Sequence, residues 1–146
     1  MGETGHVFGF DVQKEAVERT RQRLADRGLL SRATLFCAGH ERMAELAPPG
    51  ADAIVFNLGW LPGARHAVTT RVETTLAAVS QAVELLAPGG VLTICVYPGH
   101  EEGTRELHAL LAWAAGLDVR TYNVLHHNFI AAKAGTPQLL LIQKNG

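Results

Sequence analysis

The residues best suited to chemistry lie in one stretch, Val55-Phe56-Asn57-Leu58-Gly59-Trp60-Leu61-Pro62-Gly63. The run Ala53-Ile54-Val55-Phe56 reads as a buried strand that stops at Asn57. Asn57 is therefore expected at the carboxyl end of a strand, where open α/β sheets bind ligands. An amide oxygen there accepts a hydrogen bond from an amine, and the indole of Trp60 beside it stacks on a flat ring. An enzyme that methylates an amine on a nucleobase needs both. The pattern also has a plainer use: Asn57 can cap the turn, and Trp60 can fill core in a Gly/Pro-flanked loop.

Strands and helices that alternate along the chain must hold these side chains. His6 to Asp11 is short, apolar and ends in an acid, as a strand would. Gln13 to Arg27 has helical spacing, with Ala16, Val17, Thr20 and Leu24 on one side, Arg19, Arg23 and Arg27 outward, and Gly28 as C-cap. Ala33 to Cys37 is a second strand, Glu41 to Leu46 a short helix and Ala53 to Asn57 a third strand. From Thr70 to Leu86 the apolar residues Val72, Leu76, Val79, Val83 and Leu86 mark an amphipathic helix, which Pro88-Gly89-Gly90 stops. Val91 to Tyr97 is a fourth strand. Glu101 to Ala115 is a helix with acids in its first turn and Leu107, Leu110, Leu111 and Ala114 as its buried stripe. Asp118 to Leu125 and Leu139 to Lys144 are expected as two closing strands, an antiparallel pair at a sheet edge. The alternation predicts a mostly parallel, doubly wound sheet.

Composition sets the bounds. A chain of 146 residues, 47% hydrophobic and 18% charged, is one globular domain by length, residues 1–146. Its net charge of -1 gives no global attraction to nucleic acid, so any such binding needs a local patch. Ten of its thirteen basic residues are Arg, which suits phosphate recognition and equally fits a codon bias. Cys37 and Cys95 sit in apolar runs and read as free buried thiols. Nothing resembles a signal peptide or an apolar run of about 18 residues, so a cytoplasmic chain that does not engage a membrane is expected.

The whole chain resembles the YtqB/MnmM-type class I methyltransferases, which depend on S-adenosylmethionine. The resemblance rests on VFGFDVQ (Val7 to Gln13), the Ala38-Gly39-His40 turn, FNLGWLPG (Phe56 to Gly63), RVETT (Arg71 to Thr75), LAPGGVLTICVYPGH (Leu86 to His100) and the tail HHNFIAAKAGTPQLLLIQK. It implies an α/β, Rossmann-like class I methyltransferase fold. The sheet would be mostly parallel with an antiparallel C-terminal strand. It implies methyl transfer to the aminomethyl group of a modified wobble uridine, 5-aminomethyl-2-thiouridine, in the anticodon region of tRNA. By position, Asp11 would hold the cofactor's ribose hydroxyls with help from Gln13, Gly39 and His40 would bracket the adenine edge, and Asn57 would hold the amine near the cofactor. Trp60 would stack near the target base, with Tyr97 and His100 on the same rim as polar catalytic contacts. His66, Arg71 and Glu73 would meet the RNA. Asp11 as helix cap, and His40 as a surface or cap residue, are the structural alternatives.

Where amine methyltransferases carry Asp/Asn-Pro-Pro-aromatic, this chain has Leu58-Gly59 for the prolines. The reaction would be an in-line displacement from a sulfonium, in which positioning does most of the work. It needs no metal, and the seven histidines lack ligand spacing. Arg65, Arg71, Lys133 and Arg42 are candidate phosphate contacts. The first strand–helix unit of such a fold, with its glycine-rich turn, is expected to be missing before Met1-Gly2-Glu3-Thr4-Gly5, a gap of about 30 residues or more. A truncated chain would fill that gap by forming a homodimer or work as a non-catalytic fragment. Methylation of rRNA or of a small molecule on the same fold is the other reading. A dinucleotide oxidoreductase is remote, because no G-x-G-x-x-G turn occurs.

Overall fold

The computed structural model describes Gly2, residues 4–58 and residues 72–146. The chain divides into two compact units, Met1–Ala47 and Pro48–Gly146. Among the described residues, no helix is long and apolar enough to cross a membrane.

The smaller unit is a βαβ arrangement. Strand β1 (Val7–Asp11) pairs in parallel with β2 (Ala33–Cys37), and helix α1 (Lys14–Ala25) supplies the crossover that parallel pairing requires. Register runs from Val7 opposite Ala33 to Asp11 opposite Cys37. It places Phe10 beside Phe36, whose rings stack at 5.0 Å. Gly28, at φ +65°, follows α1 in the left-handed region. The Gly28 N–H donates to the Ala25 carbonyl, and the Leu29 N–H reaches back to the Leu24 carbonyl. This closes the helix end as the glycine predicts. Val17 is buried and Ala16 and Leu24 are half-buried, but Thr20 faces solvent. A short 3-10 turn, His40–Arg42, leads into α2 (Met43–Leu46). Cys37 is exposed rather than buried, because it is the last residue of β2.

The larger unit is a four-stranded sheet with two helices. Its strands are β3 (Ala51–Asn57), β4 (Leu86–Val96), β5 (Tyr122–His127) and β6 (Gln138–Lys144), in the order β3-β4-β6-β5. The β3–β4 pair is parallel, whereas β6 runs against both β4 and β5. Helices α3 (Val72–Leu85) and α4 (Glu101–Ala115) pack on each other and on β4. The core is one face of the sheet: Phe56, Leu92, Ile94, Val96, Leu140 and Ile142 are buried with Val79, Val83 and Leu110 of the helices. Each such side chain contributes about 1.5–3 kcal/mol by leaving water.

Three expectations shift. Val55 is 75% exposed, because side chains alternate across a strand and only the Phe56 face lies against the unit's core. Strand β4 starts at Leu86, directly after α3. Pro88 cannot continue the helix, Gly89 takes φ +79°, and the register with β3 shifts between Ala51 and Ala53 to absorb the turn. Strand β5 starts four residues late, because Asp118 builds a turn. Its carbonyl accepts the Thr121 and Tyr122 N–H groups at 2.9 Å and its carboxylate accepts the Arg120 N–H.

Candidate active site

Asn57 ends β3, and Tyr97 follows β4 directly. Asn57 stands opposite Cys95 in the parallel register, so Tyr97, two residues on, projects from the same face. The Tyr97 hydroxyl donates to Asn57 Oδ1 at 2.9 Å. The Leu58 N–H continues the ladder to the Cys95 carbonyl at 3.0 Å, which fixes the backbone on which Asn57 sits. Asn57 and Tyr97 are both exposed, while Leu58 and Phe56 anchor the turn in the core. The Tyr97 phenol is held above its ordinary 10.0 by its contact with the Cys95 thiol, with burial adding to it. Tyr97 is therefore a neutral hydrogen-bond donor throughout the physiological range. Cys95, read from sequence only as a buried thiol, is half-buried and belongs to this cluster.

The turn after Tyr97 is tightly built. His100 is the N-cap of α4, its Nδ1 accepting the Gly103 N–H at 3.0 Å. The Thr104 hydroxyl donates to the Pro98 and His100 carbonyls, both at 3.1 Å. A Cβ on Gly103 would collide with the Tyr97 carbonyl oxygen, so only glycine lets the helix start this close to β4. His100 thus shares the rim with Tyr97, and its Nδ1 is committed to the helix.

Beneath this rim, the Thr75 hydroxyl of α3 donates to Glu106 Oε1 of α4 at 2.6 Å. Thr75 is 0% and Glu106 4% exposed. The sequence carried a signal for the burial of Glu106 but not for its partner, because Glu106 shares a helical stripe with Gly103, Leu107, Leu110 and Ala114, the other buried residues of α4. Glu73, in the first turn of α3, is exposed. Trp60, His66 and Arg71, together with Arg65, lie outside the described residues.

In the smaller unit, Asp11 and Gly39 lie at the carboxyl ends of the parallel strands β1 and β2. Asp11 Oδ1 accepts the Gln13 N–H at 2.8 Å, a local turn ahead of α1, whose N-cap is Gln13 and not Asp11. Its Oδ2 makes no hydrogen bond among the described residues. A carboxylate with one oxygen so placed fits a pair of adjacent hydroxyls. Gly39 precedes His40 in extended conformation, and a Cβ there would run into the Glu41 carboxylate. The Asp11 carboxylate has the acceptor chemistry that the ribose hydroxyls of S-adenosylmethionine need. The hollow beside Asp11, lined by Gly9, Phe10, Ala16 and Val17, holds only about 140 Å³. This is below the usual size of a ligand pocket, about 300–1,000 Å³.

The fold is α/β and Rossmann-like, of the class I methyltransferase type. The family model described as Putative rRNA methylase matches residues 7–143, and the chain belongs to that family. A Clostridium thermocellum structure described as a putative rRNA-methylase is 39% identical, with a TM-score of 0.94 over 99% of this chain and 77% of that one. A putative methyltransferase of Streptococcus mutans, solved in complex with SAH, is 33% identical, with a TM-score of 0.87 over 95% of this chain and 76% of that one. The chloroplastic tRNA (mnm(5)s(2)U34)-methyltransferase of Arabidopsis thaliana is 38% identical over 125 residues, 82% of this chain. The chain spans 45% of that relative's length.

Proposed function

We propose that the chain serves S-adenosylmethionine-dependent methyl transfer to a primary amine on the modified wobble uridine of tRNA. The observation that carries this reading is the Tyr97–Asn57 hydrogen bond at the carboxyl ends of two parallel strands. An amide oxygen has two lone pairs. With one taken by Tyr97, the second is held in a fixed direction, ready to accept from an amine.

When bound, S-adenosylmethionine supplies an electrophilic methyl group on a sulfonium. Asp11 would accept the cofactor's ribose hydroxyls, with Gln13 beside it, and Gly39 and His40 would meet the adenine edge. Asn57 would accept a hydrogen bond from the substrate amine and leave the nitrogen lone pair free for the methyl group. Tyr97 keeps the Asn57 amide from turning over. His100 and Gly103 hold the Tyr97 backbone in place. Trp60 stacks on the target base, and His66, Arg71 and Glu73 take the surrounding RNA. The kinship with a tRNA wobble-uridine methyltransferase supports the substrate.

The test has two stages. S-adenosylmethionine is first titrated into the folded chain by calorimetry. The chain is then incubated with cofactor and tRNA lacking the terminal methyl group, and the RNA is digested to nucleosides. A methylated 5-aminomethyl-2-thiouridine supports the reading. Methylation of rRNA alone, or of free amines alone, overturns the substrate.

A further inference from the structure

Strand β5 ends at His127 opposite Leu139, and β6 opens at Gln138 opposite Val96. The connection between them, residues 128–137, therefore leaves the sheet at the end that carries Asn57 and Tyr97. It is docked there by backbone. A Cβ on Gly135, at φ +82°, would lie 2.7 Å from Gly99 Cα, two residues from Tyr97. The loop is also internally braced. The Thr136 hydroxyl donates to the Lys133 carbonyl at 2.7 Å, and His126 Nε2 meets Gln138 Oε1 at 2.7 Å across its base. His127 packs edge-on against Phe129, with ring centroids at 5.3 Å.

This braced loop holds its apolar residues out in water. Phe129 is 56% exposed and Ile130 fully so. Exposed apolar clusters of this kind mark interaction sites. Charge indicates the partner. Within the loop, residues 128–137, the charged side chain is Lys133, which is exposed, whereas Arg120 pairs with Asp118 and Lys144 with the Glu84 and Leu86 carbonyls at the other end of β5 and β6. A braced, exposed aromatic with a cation four residues along the same loop is a combination that binds unpaired nucleotides, the ring stacking on a base and the cation meeting phosphate.

We infer that the β5–β6 loop is an RNA-docking arm: Phe129, braced by His127, stacks on an unpaired base next to the reacting nucleotide, while Lys133 contacts its phosphate. The inference rests on the RNA substrate proposed above and adds where the RNA is gripped.

The probe is a fluorescently labelled anticodon stem-loop RNA titrated into the full chain and its variants, with anisotropy as the readout. Phe129→Ala should weaken binding about tenfold, and Phe129→Trp should keep it. Lys133→Gln should lower the salt dependence of binding by about one counterion. Annealing the loop to a complementary strand should abolish the Phe129 effect. Circular dichroism of each variant should match the parent, because the substituted side chains face solvent. Equal affinity for the parent and Phe129→Ala overturns the inference and leaves the proposed reaction standing. If the unaltered chain binds no RNA, both fall. A dimer that Ile130→Ser dissociates in sedimentation, with RNA affinity unchanged, assigns the face to a second copy and also overturns it.

Discussion

The Tyr97 hydroxyl and Asn57 Oδ1 are 2.9 Å apart across two adjacent parallel strands. One consequence is that Asn57 does not act alone. Its amide is oriented by a neighbour 40 residues away in sequence.

Tyr97→Phe should therefore slow methyl transfer without disturbing cofactor affinity. Loss of one neutral hydrogen bond is worth about 0.5–1.5 kcal/mol, or roughly 2- to 10-fold in kcat. Asn57→Ala, which removes the acceptor itself, should cost about 100-fold or more, in the range of other positioned polar catalytic groups. Single-turnover rates on tRNA measure both. A smaller effect for Asn57→Ala than for Tyr97→Phe would reverse the assigned roles.

Asp11 braces the turn before α1 and is proposed to hold the cofactor's ribose, and two substitutions separate these roles. Asp11→Asn keeps an oxygen for the Gln13 N–H but removes the charge offered to the ribose. It should leave the melting temperature near the parent's while weakening S-adenosylmethionine binding by about 10-fold or more, as expected for charge-assisted hydrogen bonds. Asp11→Ala should in addition lose about 1 kcal/mol of stability with the hydrogen bond from the Gln13 N–H. Unchanged calorimetric affinity in Asp11→Asn would remove this residue from the cofactor site.

The buried Thr75–Glu106 pair joins α3 to α4. Thr75→Val leaves the Glu106 carboxyl without that donor and should destabilise the fold by about 1–3 kcal/mol. Glu106→Gln still accepts from the Thr75 hydroxyl and should cost less. Urea unfolding of the two variants gives the comparison. A costlier Glu106→Gln would mean that the charge matters more than the hydrogen bond.

Both tyrosines of the chain hold their protons more tightly than usual. Contact with Cys95 raises Tyr97, while burial and then the Glu84 charge raise Tyr122. The folded state thus keeps protons that the unfolded chain would release near pH 10.0. The stability they contribute is complete below that pH and is lost as pH rises through the folded-state values. An absorbance titration of tyrosinate should show no component at the ordinary value, and the tyrosines' share of thermal stability should be lost on the alkaline side. A tyrosine titrating at the ordinary value would contradict the assigned contacts.

Much of this was legible in the residues. The helical spacing of Leu107, Leu110 and Ala114, the apolar strand ending in Asn57, the Gly28 stop and the acid that ends β1 are local patterns. Local sterics, capping and periodicity fix them without reference to the rest of the chain. What the sequence left open depends on partners distant along the chain. It could not give Val55 its exposure, because alternation names two faces but not the covered one. It could not pair Thr75 with Glu106, nor join Tyr97 to Asn57, since both contacts follow from strand register and helix packing. Nor could it reveal that Gly135 rests against Gly99, and so brings Phe129 and Lys133 to the rim that carries Tyr97. Short-range chemistry chose the elements. The burial of one sheet face under α3 and α4 decided which side chains meet.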